Sequence, residues 1–216
     1  MIIIPEIETV LILVPRTGSG ALRRAVAERY PQSMLLYRHM EADGIPAGYD
    51  RWRKIGVARD PLDRLWSLYK FLKTFDGQHA QAYIDAMRSS VDRPFEDWLL
   101  NNEVVFTSPY DRNWSCKLFY PQFTVRHPMP ENRKSQFLYL RPDLGTQIYP
   151  YDLVPELAKR LDLQMGRVNV TGKTAAPQLS EATWDYLKTV FSWDFSFSYS
   201  GPNTAQKFIA ASRGAA

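Results

Sequence analysis

Residues 9–22, Thr9-Val-Leu-Ile-Leu-Val-Pro-Arg-Thr-Gly-Ser-Gly-Ala-Leu22, change character in the middle. The first half is a nearly continuous apolar run, the pattern of a strand buried on both faces of a parallel sheet. Pro15 ends it, and Thr17-Gly-Ser-Gly20 carries turn chemistry. From Ala21 a helix is expected, with Leu22, Ala25, Val26 and Arg29 at helical spacing. The unit is strand, glycine-bearing loop, helix. Ligands of open α/β sheets bind at the carboxyl ends of the strands, where this loop would sit. Its glycines turn backbone N–H groups outward, and the following helix points its positive end at the same place. Arg16 adds a cation, and Thr17 and Ser19 add hydroxyls. The group that fits is a phosphate or sulfate ester. An ordinary strand-to-helix turn, using glycine for its backbone freedom, accounts for the same residues without a ligand.

Outward from this unit, a second strand is expected at Met34–Tyr37, followed by a loop containing His39, Glu41, Gly44, Pro46 and Gly48. Lys54-Ile-Gly-Val-Ala58 reads as a third strand. Asp60 is a natural N-cap and Pro61 a natural first residue of the next helix. Leu62, Leu65, Trp66, Tyr69 and Leu72 form its apolar stripe, and Ser67 lies off that stripe. Arg59 is expected at the same sheet edge as the first loop, with the Ser67 hydroxyl two turns further on. An arginine fork and a hydroxyl suit a second phosphate. The alternative is an Arg59 paired with a surface carboxylate and a merely solvated Ser67.

Residues 78–90 and Pro94–Asn101 read as helices, and Val104–Pro130 as loops rich in aromatics, Pro, Asn and Ser. Phe137-Leu-Tyr-Leu-Arg141 is expected as a strand, Leu153–Leu161 as a helix and Val168–Val170 as a short extended piece. Leu179–Val190 is expected as a helix with Ser180 as its N-cap. Strands alternating with helices predict an α/β fold of three layers, a mainly parallel central sheet with flanking helices.

Composition narrows the function. The 216 residues suit a single domain over 1–216, with 210–216 as a tail that frays. Lys and Arg number 27 against 23 Asp and Glu, a net charge of +4. That surplus fits an anionic small ligand and is too weak to argue for nucleic acid. Apolar residues make up 45 %, which excludes wholesale disorder. The apolar stretches Met1–Ile4 and Val10–Val14 are interrupted by Pro5, Glu6 and Glu8. Neither approaches the ~20 residues of a membrane span, so no span is expected. The single cysteine, Cys116, excludes a disulfide framework within the chain and points to the reducing cytoplasm. Gly166-Arg-Val-Asn-Val-Thr-Gly-Lys-Thr174 imitates a P-loop but has five residues between its glycines instead of four. Nor does the first loop carry the Lys–Ser/Thr pair of a Walker A motif, because Ala21 follows Gly20.

Taken together, these segments resemble the family of sulfotransferases that use 3′-phosphoadenosine-5′-phosphosulfate (PAPS), which has a P-loop NTPase-like architecture. That family's 5′-phosphosulfate loop commonly reads Pro-Lys-Thr-Gly-Ser/Thr-Thr-x-Leu, against Pro15-Arg-Thr-Gly-Ser-Gly-Ala-Leu22 here. Its 3′-phosphate segment commonly reads Val-x-Arg-Asp-Pro-x-x-Arg-x-x-Ser-x-Tyr, matched by Val57-Ala-Arg-Asp-Pro-Leu-Asp-Arg-Leu-Trp-Ser67-Leu-Tyr69. Tyr149-Pro-Tyr-Asp-Leu153 is similar to the family's Tyr-Glu-Asp-Leu helix start. Asn169-Val-Thr171 and Leu179-Ser180-Glu181 resemble its C-terminal segment. Two departures stand out: Arg16 replaces a lysine, and Gly20 replaces a frequent serine or threonine.

The resemblance implies sulfuryl transfer from PAPS to an acceptor hydroxyl or amine, leaving adenosine 3′,5′-bisphosphate, with no metal required. It implies a donor site made of Arg16, Thr17, Gly18, Ser19, Gly20, Ala21 and Leu22 with Arg59 and Ser67, and Lys173 reaching the 3′-phosphate. His39, in Leu36-Tyr-Arg-His39, stands where several branches carry the general base. Glu41 is the alternative base, and Arg16 would stabilise charge on the leaving phosphate. The acceptor, a small molecule or glycan, would be covered by residues 75–130, with Phe106, Tyr110, Trp114 and Phe119 as candidate walls. The competing readings are a P-loop-like nucleotide or small-molecule kinase and a catalytically silent nucleotide-binding module.

Overall fold

A computed structural model describes residues 1–36, 39–76, 81–100, 135–166 and 174–196. Its centre is a five-stranded mixed sheet. Strand β1 (Ile2–Ile4) turns back through a 3-10 turn at Pro5–Ile7 into β2 (Thr9–Ile12). So short a connection cannot make a crossover, so the pair is antiparallel, with Ile2 opposite Leu11. The short β3 (Met34–Leu35) lies antiparallel on the other side of β1. Strand β4 (Arg53–Ala58) runs parallel to β2, and β5 (Gln147–Pro150) parallel to β4, giving the order β3-β1-β2-β4-β5. The expectation of a mainly parallel sheet therefore holds only for the half built from β2, β4 and β5. The Ile-rich N-terminus adds an antiparallel strand inside the sheet.

Alternation along the strands sorts the core into two faces. Leu11, Ile55, Val57 and Tyr149 meet α1 (Ser19–Arg29) through Leu22 and Val26, and the later helix Val154–Arg160 through Leu157. On the opposite face, Ile12, Ala58 and Ile148 meet Tyr139 and Leu140. Further along that face, Ile3 and Val10 meet Leu36 and Met40. Helix α2 (Pro61–Lys73) starts as expected, with Asp60 Oδ1 accepting from the Asp63 amide at 2.9 Å and Pro61 in first place. It packs with α3 (Gln81–Ser89), and Leu65 and Tyr69 share an apolar cluster with Trp98 of α4 (Phe95–Leu100) and with Leu187. Leu187 belongs to the helix Glu181–Val190, whose Ser180 N-cap accepts from the Thr183 amide and donates to Glu96. Hydrogen bonds from Ser180 and Thr183 hold the Glu96 carboxyl below its ordinary range. Among the described residues no helix is long and apolar enough to cross a membrane.

One segment departs from expectation. Phe137-Leu-Tyr-Leu-Arg141 is not a strand. Phe137–Leu140 is a single helical turn, α5, in which Gln136 O accepts from the Tyr139 and Leu140 amides. Numbering the later helices in order, Val154–Arg160 is α6, Glu181–Val190 is α7 and Ser192–Ser196 is α8. The turn at α5 exists to deliver Leu140 onto the sheet at Gly56. A Cβ on Gly56 would lie 2.1 Å from Leu140 Cδ2, so any side chain there has to displace the buried Leu140. We expect Gly56→Val to lose about 1–3 kcal/mol of unfolding free energy through overpacking, measured by urea denaturation. In a Leu140→Ala background most of that loss should disappear; an undiminished loss would mean that the clash is not with Leu140.

Candidate anion-binding site

Parallel pairing of β2 with β4 brings the residues that follow both strands to one edge of the sheet. After β2 the chain bends sharply. Arg16 takes a left-handed backbone conformation, φ 66°, and Gly18 another, φ 77°. For a side-chain-bearing residue this costs on the order of 1–2 kcal/mol, and such strain gathers where a side chain has to be aimed. The Arg16 guanidinium lies 4.7 Å from the centre of the Phe71 ring, and its Nε donates to Ser67 Oγ at 3.1 Å. Ser67 is buried, because it faces Arg16 instead of solvent. The two segments expected to hold separate phosphates thus touch each other directly.

Arg59 completes the group. Its guanidinium lies 5.0 Å from the centre of the Tyr151 ring, with Asp63 at 3.8 Å. Tyr151 in turn covers the loop, since a Cβ on Gly18 would lie 3.4 Å from Tyr151 Cε2. Burial pushes the Arg16 pKa down, and the like charge of Arg59 pushes it further the same way, with Tyr151 opposing. A half-buried guanidinium facing another cation is a site of positive potential that a bound anion relieves.

The loop divides its polar groups between structure and opening. Thr17 is buried, and its hydroxyl donates to Val14 O at 2.9 Å, closing the bend. Ala21 and Leu22 donate their amides to Gly18 O, and the Leu22 side chain lies in the core. Those three residues shape the loop, and the amides that open α1 belong to Ser19 and Gly20. Gly20 is exposed with open space around it.

His39 sits beside the same strand end. Its Nδ1 lies 2.8 Å from Leu13 O. A carbonyl only accepts, so Nδ1 carries the hydrogen and the neutral ring keeps its lone pair on Nε2. Glu41 is buried and its backbone carbonyl accepts from the Gly44 amide at 2.9 Å. Lys173 lies outside the described residues, as do Phe106, Tyr110, Trp114 and Phe119.

Two hollows flank the cations and share Thr174 in their walls. One, of 360 Å³, is lined by Arg59 and Tyr151 with Asp60, Asp63 and Asp152. The other, of 710 Å³, is lined by Arg16, Ser67, Lys70 and Lys73 with Trp66 and Phe71, and among the described residues no carboxylate lines it. Anionic groups are favoured towards Arg16, while the Asp-rich hollow suits a neutral or amine-bearing part of a ligand. Tyr151 was legible as part of the Tyr149–Leu153 motif without a role of its own. Phe71 lay outside the apolar stripe read from the sequence and carried no signal there.

No family model matches the chain, and neither a curated protein nor a solved structure matches it.

The arrangement predicts that sulfate, titrated at constant ionic strength, raises the melting temperature of the native chain by mass action. Arg16→Ala and Arg59→Ala should each reduce that rise. Equal shifts in all three proteins would mean that the anion does not bind between these arginines.

Proposed function

We propose that the chain transfers a sulfuryl group from PAPS to an acceptor hydroxyl or amine, in a P-loop-like sulfotransferase architecture. The observation that carries this reading is the convergence of Arg16, Arg59 and Ser67 at the amino end of α1. The residues fit a nucleotide that is anionic at both its 3′ and 5′ ends: two like-charged guanidinium groups lie near the amino end of α1, one of them over the Tyr151 ring. When bound, PAPS supplies a sulfur centre at which the acceptor's S–O or S–N bond forms as the S–O bond to the 5′-phosphate breaks, with adenosine 3′,5′-bisphosphate leaving.

The chain's part is positioning and charge stabilisation. The Ser19 and Gly20 amides and the Arg16 guanidinium would hold the 5′-side, and Arg59 and Ser67 the 3′-phosphate. The Tyr151 ring and the nearby carboxylates suit the adenine with its amino group. His39 Nε2 would take the acceptor's proton, because Nδ1 is committed to Leu13 O. The acceptor, a small molecule or glycan, would approach from the His39 side. The single cysteine is in keeping with a reducing, cytoplasmic setting.

Calorimetry with adenosine 3′,5′-bisphosphate tests the reading. Binding without Mg²⁺, weakened in Arg59→Ala, is expected. Binding of Mg²⁺–ATP in place of the bisphosphate would instead favour a kinase. With labelled donor and an acceptor found by screening glycans, phenols and lipids, His39→Ala should keep donor affinity and lose about 10²–10⁴ in turnover. Bisphosphate binding without transfer to any acceptor would leave a silent nucleotide-binding module. Gly20→Thr should tighten bisphosphate binding, since there is room for the side chain and its hydroxyl would stand in the first turn of α1. Weaker binding in that variant would place the phosphate elsewhere.

A further inference from the structure

Gln136 holds the peptide groups of Arg59 on both sides. The pairing of β4 with β5 ends at Ala58 opposite Pro150, so Arg59 is the first residue beyond the ladder. A partly buried peptide there still needs partners for its N–H and C=O. The Gln136 side chain provides both. Its Oε1 accepts from the Arg59 amide at 2.8 Å, and its Nε2 donates to the Arg59 carbonyl at 2.8 Å. The amide stands in for a neighbouring strand.

This clamp is itself anchored. Gln136 is fully buried, and its backbone amide donates to both carboxylate oxygens of Asp194, at 3.0 and 2.9 Å. Asp194, on α8 and also fully buried, accepts from Ser135 Oγ at 2.9 Å and the Phe137 amide at 3.3 Å. Burial raises the Asp194 carboxyl, and the charge of Arg64 opposes that. Arg64 is a wholly buried residue of α2, the helix that also carries Ser67. The chain of bonds therefore runs from α8 to the backbone from which the Arg59 guanidinium projects.

We propose that Gln136, anchored by Asp194, is a positioning residue that sets Arg59 for the ligand's phosphate; this rests on the functional reading above. Fixing the peptide removes freedom that ligand binding would otherwise have to remove. Only a side-chain amide offers a donor and an acceptor together, on separate atoms, at every pH. Glutamate in its place would set a carboxylate oxygen against Arg59 O when ionised, and would restore donor and acceptor when protonated. Among the described residues, the charged groups around it are Arg59, Asp194 and Arg64, with Asp63 beyond the Arg59 side chain.

The test is bisphosphate calorimetry on four proteins: native, Gln136→Glu, Arg59→Ala and the double variant. Under alkaline conditions Gln136→Glu should bind about tenfold more weakly than the native chain, the effect of one buried bond turned repulsive. Under mildly acidic conditions the ratio should fall towards one. In the Arg59→Ala background, Gln136→Glu should cost nothing further, because it acts through Arg59. Native affinity in alkaline Gln136→Glu, or a loss that persists without the Arg59 side chain, overturns the proposal. Should Gln136→Glu fail to fold, Gln136→Met, of similar volume with neither bond, runs the same cycle. If the native chain does not bind the bisphosphate, the functional reading fails. The clamp is then read by hydrogen exchange, where the Arg59 amide should exchange about tenfold faster in the variant. Unchanged exchange would dismiss the clamp as well.

Discussion

The parallel pairing of β2 with β4 is the constraint on which the site depends. It places the bend at Arg16 beside the turn at Arg59, so that segments far apart in sequence share one edge. Without it, Arg16 would be a surface cation on a glycine turn and Ser67 a solvated hydroxyl. With it, Arg16 reaches across to Ser67, and two like charges face each other with a tyrosine ring between loop and strand. Such an arrangement is unfavourable by itself. It is sustained by aromatic stacking, by a buried hydroxyl and by the rigid strand ends beneath it, all of which belong to the fold.

Much of the scaffold was legible because its signals are local. The apolar run ending at Pro15, the glycines after it and the Asp60-Pro61 helix start each follow from backbone chemistry within a few residues. The mixed sheet was less so. Whether Ile2–Ile4 joins the sheet, and in which direction, depends on a tertiary neighbour and on a turn too tight for a crossover. Phe137–Leu140 shows the limit of reading short apolar runs. Four consecutive apolar side chains fit a strand or a helical turn equally well, and the local pattern alone does not choose between them.

The site follows the same division. Arg16, Arg59, Ser67 and His39 were identifiable by residue type and chain order, and the structure gathers the first three and sets the fourth at the same strand end. What could not be read was the distribution of duties inside the loop. Thr17 looked like a ligand donor and instead closes a bend, because Val14 O needs its proton. Gln136 looked like nothing, since a lone glutamine ahead of an apolar run has no signature. Its role arises only when the β4–β5 ladder ends at Ala58 and leaves the next peptide to satisfy.

The hairpin of β1 and β2 has a kinetic meaning. Its two strands are sequence neighbours, and their pairing closes a very small loop. The parallel pairs beside it join remote parts of the chain and carry a larger closure entropy. The strand that bears Arg59 is thus expected to join late, on a template laid down by the isoleucine-rich N-terminus. Partial opening of the native state would be expected to begin there as well, with the hairpin persisting longest. A nucleotide held across that edge would then slow unraveling at the seam where the molecule is least firmly knit.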